Sequence, residues 1–240
     1  MISVIIPAYN EEKRITKTLD ALCGYMETAF PEGDYEILAV NDGSSDRTAE
    51  VIAAHGGKNL RLLGYTPNRG KGGAVKYGVE HAMGEIILFT DADLPYPPEN
   101  IKKAAELFER EPYQLILGNR ESAENGQKYP WYRTVMSRCF SLLVDSVLHL
   151  HVPDTQCGFK CFRREAAEKI FAASTLTGWG FDVELIFLAK KYGFCIGRLP
   201  VKLYHENSGS KIRIVHDTLT MIREVRCVKK NNRAGIYELK

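Results

Sequence analysis

The stretch "LFTDADLP" (88–95) ends an apolar run with two aspartates, Asp91 and Asp93, separated only by Ala92. Carboxylates at i and i+2 of an extended segment point to the same side. Their mutual repulsion is relieved by a divalent cation, and hard oxygen ligands suit Mg²⁺ or Mn²⁺. The other use of such a pair is an acidic turn ahead of the helix in "PPENIKKAAELF". Asp42, in "VNDGSSD", can accept hydrogen bonds from a base or a ribose, or it can serve an Asx-turn or a cap. "NRGKGGA" offers backbone N–H groups and Lys71 at a helix start, a setting that favours anions. It lacks the GxxxxGK[ST] pattern of a P-loop, and no GxGxxG follows the first strand.

These residues need a scaffold that brings them to one edge. Short apolar runs alternate with amphipathic stretches through the first half, the pattern of parallel βαβ units. "SVIIPA", "YEILAV", "LRLLGY" and "EIILFT" read as strands, apolar throughout, as a sheet covered on both faces requires. Asn10 is placed to cap the first helix, with Glu11 and Glu12 in its first turn. Pro7, Asp42, the glycine-rich loop and Asp91/Asp93 then fall at the carboxyl ends of strands, where open α/β sheets bind ligands. In the second half "QLILG", "CGFKCF" and "CIGRLPVKL" read as strands. "WYRTVMSRCFSLLVDSVLHL", "REAAEKIFAAS", "FDVELIFLAKKYG" and "IVHDTLTMIREVRCVKK" read as helices.

The chain has 240 residues, 45% hydrophobic and 26% charged, which suits one domain with a substantial core. A formal net charge of +2 gives no signal for nucleic acid. Met1-Ile2-Ser3-Val4 leads straight into a strand, so no signal peptide is expected. No apolar stretch reaches the roughly 18 residues of a membrane span. Cys157 and Cys161 have no second pair to complete a zinc site, so reduced thiols are expected.

"VIIPAYNEE", "VNDGSSDRT", "NRGKGGAVKYG" and "LFTDADLP", in this order and spacing, resemble the nucleotide-sugar domain of family 2 glycosyltransferases. "GNR" (118–120), "DTQCGFKCF" (154–162), "FDVELIFLA" (181–189) and "ENSGSK" (206–211) resemble the subgroup that glycosylates polyprenyl phosphates, with dolichyl-phosphate β-glucosyltransferases the nearest likeness. The resemblance implies an α/β GT-A fold: a Rossmann-like, mostly parallel sheet flanked by helices in a single domain. Residues 1–110 would form the nucleotide-sugar half and 111–210 the acceptor half, with 211–240 a basic amphipathic segment. It implies an inverting hexosyl transfer, with UDP-glucose favoured as donor and a polyprenyl phosphate as acceptor. Pro95 stands where mannose synthases often carry Gln, which disfavours the GDP-mannose alternative. Transfer to a glycan hydroxyl, or donor binding without catalysis, are the other readings.

Residue by residue, the resemblance places Pro7, Tyr9, Glu11 and Asp42 around base and ribose, and Lys71 over the nucleotide. Asp91 and Asp93 would hold Mg²⁺ or Mn²⁺ on the diphosphate. Arg120, Arg133 and Lys211 would bind acceptor and donor phosphates. Asp154 would orient an acceptor-site cation or act as a base. Asp182 would be either catalytic or a helix cap. Residues 211–240 hold eight Lys/Arg and three Asp/Glu, and Ile214, Leu219, Ile222 and Val225 can form an apolar stripe. That pattern fits a helix on an anionic membrane surface, or one packed on the domain. A peripheral position on the cytoplasmic face of a membrane is expected, through lipid or a separate membrane protein.

Overall fold

The structure, a computed structural model, describes residues 1–120, 141–152, 154–178, 180–203 and 214–238, with the backbone alone at 214–219. Seven strands form one sheet: β1 (Ile2–Ala8), β2 (Tyr35–Asp42), β3 (Leu60–Tyr65), β4 (Ile86–Phe89), β5 (Leu115–Asn119), β6 (Lys160–Arg163) and β7 (Ile196–Pro200), in the order β3-β2-β1-β4-β6-β5-β7. Every neighbouring pair is parallel except those of β6, which runs antiparallel to both β4 and β5. The chain leaves β1 toward β2 and β3, then returns to place β4 on the other side of β1. Loops diverge at such a switch, and open α/β sheets bind ligands in the crevice there, here between the ends of β1 and β4.

Side chains alternate between two cores. Ile5, Leu38 and Phe89 face helices α3 (Lys71–His81), α6 (Arg164–Ala173) and α7 (Phe181–Lys191). Val4, Ile6, Ile37 and Leu88 face α1 (Ile15–Ala29) and α4 (Glu99–Arg110). Burial on both faces explains why β1, β2 and β4 are apolar without alternation. Edge strand β3 departs from that expectation, since its residues alternate and Leu62 is exposed. Helix α2 (Thr48–His55) ends on Gly56 in the left-handed region, as the Gly-Gly pair predicts. Of the long helix expected before residue 150, the described part is α5 (residues 141–148).

Two helix starts differ from the reading of the sequence. Helix α1 begins at Ile15, has no side-chain cap and no acid in its first turn. Residues 10–12 are engaged elsewhere. The N–H groups of Asn10, Glu11 and Glu12 donate to Ser44, Thr48 and Asp46, and Ser45 and Arg47 donate back to Asn10 and Glu12. Long-range pairing between two loops has outcompeted the local cap. Helix α3 begins at Lys71, so Gly72 and Gly73, part of the stretch read above as a glycine-rich loop, are helical.

The last helix, α8 (Ile214–Arg233), packs on the domain. Val225 and Val228 are buried in the same core as Phe89, as is Tyr237 beyond the helix. Val225, one member of the proposed lipid-facing stripe, therefore faces protein. Ile214 and Leu219 lie outside the described side chains. Among the described residues no helix is long and apolar enough to cross a membrane.

Candidate active site

Strand β4 delivers Asp91 to the crevice through Thr90, whose N–H donates to the Ile5 carbonyl at 3.1 Å. The two aspartates occupy a turn rather than an extended segment. The Leu94 N–H donates to the Asp91 carbonyl at 2.9 Å, and Leu94 has φ 44°. Helix α1 fixes the turn, since the Thr18 hydroxyl donates to the Ala92 carbonyl at 2.6 Å. Asp91 pairs with the Lys71 ammonium at the start of α3; the two side chains are 32% and 28% exposed. Burial opposes the charge on Lys71, but Asp91 and then Asp182 hold its pKa above the ordinary lysine value.

Antiparallel β6 brings the second half of the chain to the same edge. Its first residue, Lys160, pairs with Phe89, so residues 154–159 arrive beside Asp91. At Gly158 a Cβ would lie 2.0 Å from Asp91 Oδ2; only glycine leaves room for that carboxylate. Lys160 is fully buried, donating to Asp182 Oδ1 at 2.6 Å and to the Cys157 carbonyl at 2.7 Å. Asp182, in the first turn of α7, is thus held in a buried ion pair, and the helix has no side-chain cap.

Strand β5 ends at the same edge and presents Arg120. Arg120 grips Asp154 through Nε at 2.9 Å and Nη2 at 2.8 Å, and its backbone N–H adds a third bond at 3.1 Å. Burial works against both charges, and the pairing wins. Arg120 is held well above its ordinary pKa and Asp154 below the carboxylate value. Such a carboxylate is a poor base and a good clamp. Tyr96 is buried near this pair; burial first, with the nearby Cys157, pushes its phenol well up.

Asp42 is also committed internally. Its carboxylate accepts from the Tyr65 hydroxyl at 2.7 Å, Asn68 Nδ2 at 2.8 Å and the Arg69 N–H at 2.8 Å. It shapes the loop leading to Lys71. The glycine-rich loop is less of an anion cradle than its sequence suggests, because the Gly70 and Gly72 N–H groups donate to Asn68 Oδ1 and the Thr177 carbonyl. Pro7 is half-buried near the end of β1 and Tyr9 is 47% exposed beyond it, while Glu11 forms a fork with Arg14. Arg133 and Lys211 lie outside the described residues.

The donor set fits a divalent ion bound with substrate. Two carboxylates at one turn are hard oxygen ligands, and Asp91, seated against Gly158, is still about a third exposed. Asp91 and Asp93 would hold such an ion while diphosphate oxygens and water complete its shell.

The family model of glycosyl transferase family 2 matches residues 3–171. The chain belongs to that family. It is 32% identical to the dolichyl-phosphate beta-glucosyltransferase of Homo sapiens, over 99% of this chain and 78% of that one. It is 32% identical to the Saccharomyces cerevisiae protein of the same name, over 98% and 76%. Glucosyl-3-phosphoglycerate synthase of Mycobacterium tuberculosis, solved with UDP, superposes with a TM-score of 0.70 at 21% identity, covering 98% of this chain and 80% of that one. The same enzyme solved with Mn²⁺, UDP and phosphoglyceric acid gives 0.70 at 21%, covering 98% and 78%. At that identity the likeness shows the fold, which is the GT-A arrangement of the sheet described above.

Lys160, Gly158, Tyr96 and Thr18 are the site residues that sequence reasoning missed. Lys160 alone left a signal, as the one charge inside the strand-like "CGFKCF". Removing one partner of a buried ion pair costs about 3–5 kcal/mol, while replacing both by apolar groups is far milder. Asp182→Leu and Lys160→Met are therefore expected to destabilise singly by about that amount and to recover most of it when combined, in urea unfolding. Gly158→Ala is expected to retain the fold and lower glycosyl transfer about 10²-fold, the scale of losing one electrostatic stabiliser. Initial rates decide this, and wild-type turnover in Gly158→Ala would show that the position of Asp91 is immaterial.

Proposed function

We propose that this protein moves glucose from UDP-glucose to the phosphate of a polyprenyl lipid, with inversion at the sugar carbon. The names of the relatives favour a glucosyl group and a dolichyl-phosphate acceptor, and the similar synthase was solved with UDP. The observation that carries the acceptor is the Arg120–Asp154 fork, on the same edge as Asp91 and Lys71. A hydroxyl acceptor needs a general base. A lipid phosphate has a second pKa near about 6 and is already largely anionic at neutral pH. It needs a fixed cation more than a base. Asp154, held ionised by three hydrogen bonds, orients Arg120 for that task.

The remaining residues divide the work. Pro7, Tyr9 and Glu11 border the nucleotide, and Asp42 holds the loop that presents Lys71. Asp91 and Asp93 would hold Mg²⁺ or Mn²⁺, which, when bound, neutralises charge developing on the departing diphosphate. The Lys71 ammonium lies at the same carboxylate and adds a second positive charge there. Asp182 keeps Lys160 charged under this edge and touches no substrate. Arg133 and Lys211 would add cations for the two phosphates.

The direct test offers UDP-glucose and GDP-mannose, with Mg²⁺ or Mn²⁺, against a polyprenyl phosphate and against free glycans. Glucose appearing in the lipid extract is expected; transfer to free glycan hydroxyls instead would favour the other acceptor class. Arg120→Ala is expected to raise the acceptor KM about 10- to 100-fold, the worth of a charge-assisted hydrogen bond. UDP affinity by calorimetry should stay within about twofold of wild type, well inside the 1.4 kcal/mol of a tenfold change. Collapse of UDP affinity would put Arg120 at the donor.

A lipid acceptor also needs the enzyme at a membrane surface. Arg223, Arg226, Lys230 and Arg233 are exposed on α8, opposite buried Val225 and Val228, and make no ion pair among the described residues. With its apolar face spent on the domain, this helix offers lipid charge rather than insertion. Each basic residue near an anionic surface contributes about 1 kcal/mol, screened by salt. Co-sedimentation with anionic liposomes is expected to fall in the Arg223→Gln/Arg226→Gln/Lys230→Gln variant and in high salt. Unchanged sedimentation at low salt would point to a membrane-protein partner.

A further inference from the structure

The start of α3, which carries Lys71, is held by one loop. The Thr177 carbonyl accepts from the Gly72 N–H at 2.9 Å, and Lys76 Nζ donates to the Ser174 carbonyl at 3.1 Å. The fit is close. A Cβ at Gly72 would meet the Phe181 side chain at 2.9 Å, and the Lys71 ammonium lies 5.8 Å from the centre of the same ring.

Two carboxylates grip this loop from its other side. Glu184, fully buried on α7, accepts from the Thr175 N–H at 3.0 Å, the Thr175 hydroxyl at 2.6 Å and the Leu176 N–H at 2.8 Å. The Tyr237 hydroxyl donates to it at 2.5 Å. Glu224, on α8, accepts from the Gly180 N–H at 2.6 Å. A Cβ at Gly178 would fall 2.2 Å from Glu224 Oε1, so the α8 side chain lies flush against this backbone.

We infer that Glu224 is a positioning residue for the donor diphosphate: it couples the C-terminal helix to the 174–180 loop, and through Thr177 to Lys71. Glu184 and Tyr237 complete the same clamp. The Glu224 carboxylate touches neither Lys71 nor Asp91 and acts only through the backbone between them. One buried acid on α7 and one half-buried acid on α8 thus grip a loop with no reacting group of its own, and that loop fixes the ammonium beside Asp91. The inference rests on the reading of Lys71 as a donor ligand.

The test separates the two claims. Donor KM, acceptor KM, kcat and thermal unfolding are measured for Lys71→Met, Glu224→Ala and Glu224→Gln in the full chain. A remote displacement of a positioned group costs up to about 10²-fold, so Glu224→Ala is expected to raise the UDP-glucose KM about 10-fold. Acceptor KM should stay unchanged, and Glu224→Gln, whose carbonyl can still accept from Gly180, should restore the donor KM. Tyr237→Phe should shift the donor KM in the same direction. If Lys71→Met raises the donor KM and Glu224→Ala does not, the coupling is wrong and the role of Lys71 stands. If Lys71→Met leaves the donor KM unchanged, both fall. A Glu224→Ala protein that only unfolds earlier, with its donor KM intact, overturns the coupling as well.

Discussion

The Lys160–Asp182 pair is the constraint on which this site is built. An ammonium with no exposed surface must keep its partner, because an unpaired charge at that depth would cost a large part of a domain's margin of stability. The pair sits directly under the edge where Asp91 and Asp154 gather. Each of those carboxylates has its own cation as well, Lys71 and Arg120. Three ion pairs therefore cross β4, β6 and β5 side by side. They differ in depth. Lys160–Asp182 is closed to solvent, whereas Lys71–Asp91 is about a third open, so the charges that a ligand can reach rest on a pair that it cannot.

One antiparallel strand makes this layout possible. Had β6 run parallel to β4, residue 160 and the loop before it would sit at the amino-terminal edge of the sheet, far from Asp91. Its reversal carries Asp154, Cys157 and Gly158 into the crevice opened by the topological switch at β1. The first and second halves of the chain thus meet along one edge of one sheet. Neither half holds a complete set of charges alone.

Much of this was legible in the sequence, for a physical reason. The apolar runs that become β1, β2 and β4 are strong local signals, and each ends where polarity breaks, so the strand ends and the residues beyond them could be placed. The match of four motifs in order and spacing then fixed the family. What escaped was non-local. Asn10, Glu11 and Glu12 carry a good capping signature, yet they bond to residues 44–48 in the loop after β2. Gly72 reads as loop, yet it is helical, and it is glycine because Phe181 packs where a side chain would lie. Asp182 has the look of a helix cap, and only the arrival of Lys160 from another strand shows what it holds.

Five aspartates were singled out as chemical, and their surroundings, not their type, divide the labour. Asp42 accepts three hydrogen bonds from one loop, so its free energy goes into shape. Asp182 neutralises a buried lysine. Asp154 is held below the ordinary carboxylate pKa by its grip on Arg120, which suits it to be a mount more than a base. Asp91 fits its carboxylate against Gly158 and stays about a third exposed, and Asp93 follows it in the same turn. Asp91, Asp154 and Asp182 are each paired with a cation, an arrangement that suits an acceptor arriving already charged. The difficulty of the reaction is then the meeting of two anions, and the placing of cations along the edge answers that difficulty directly.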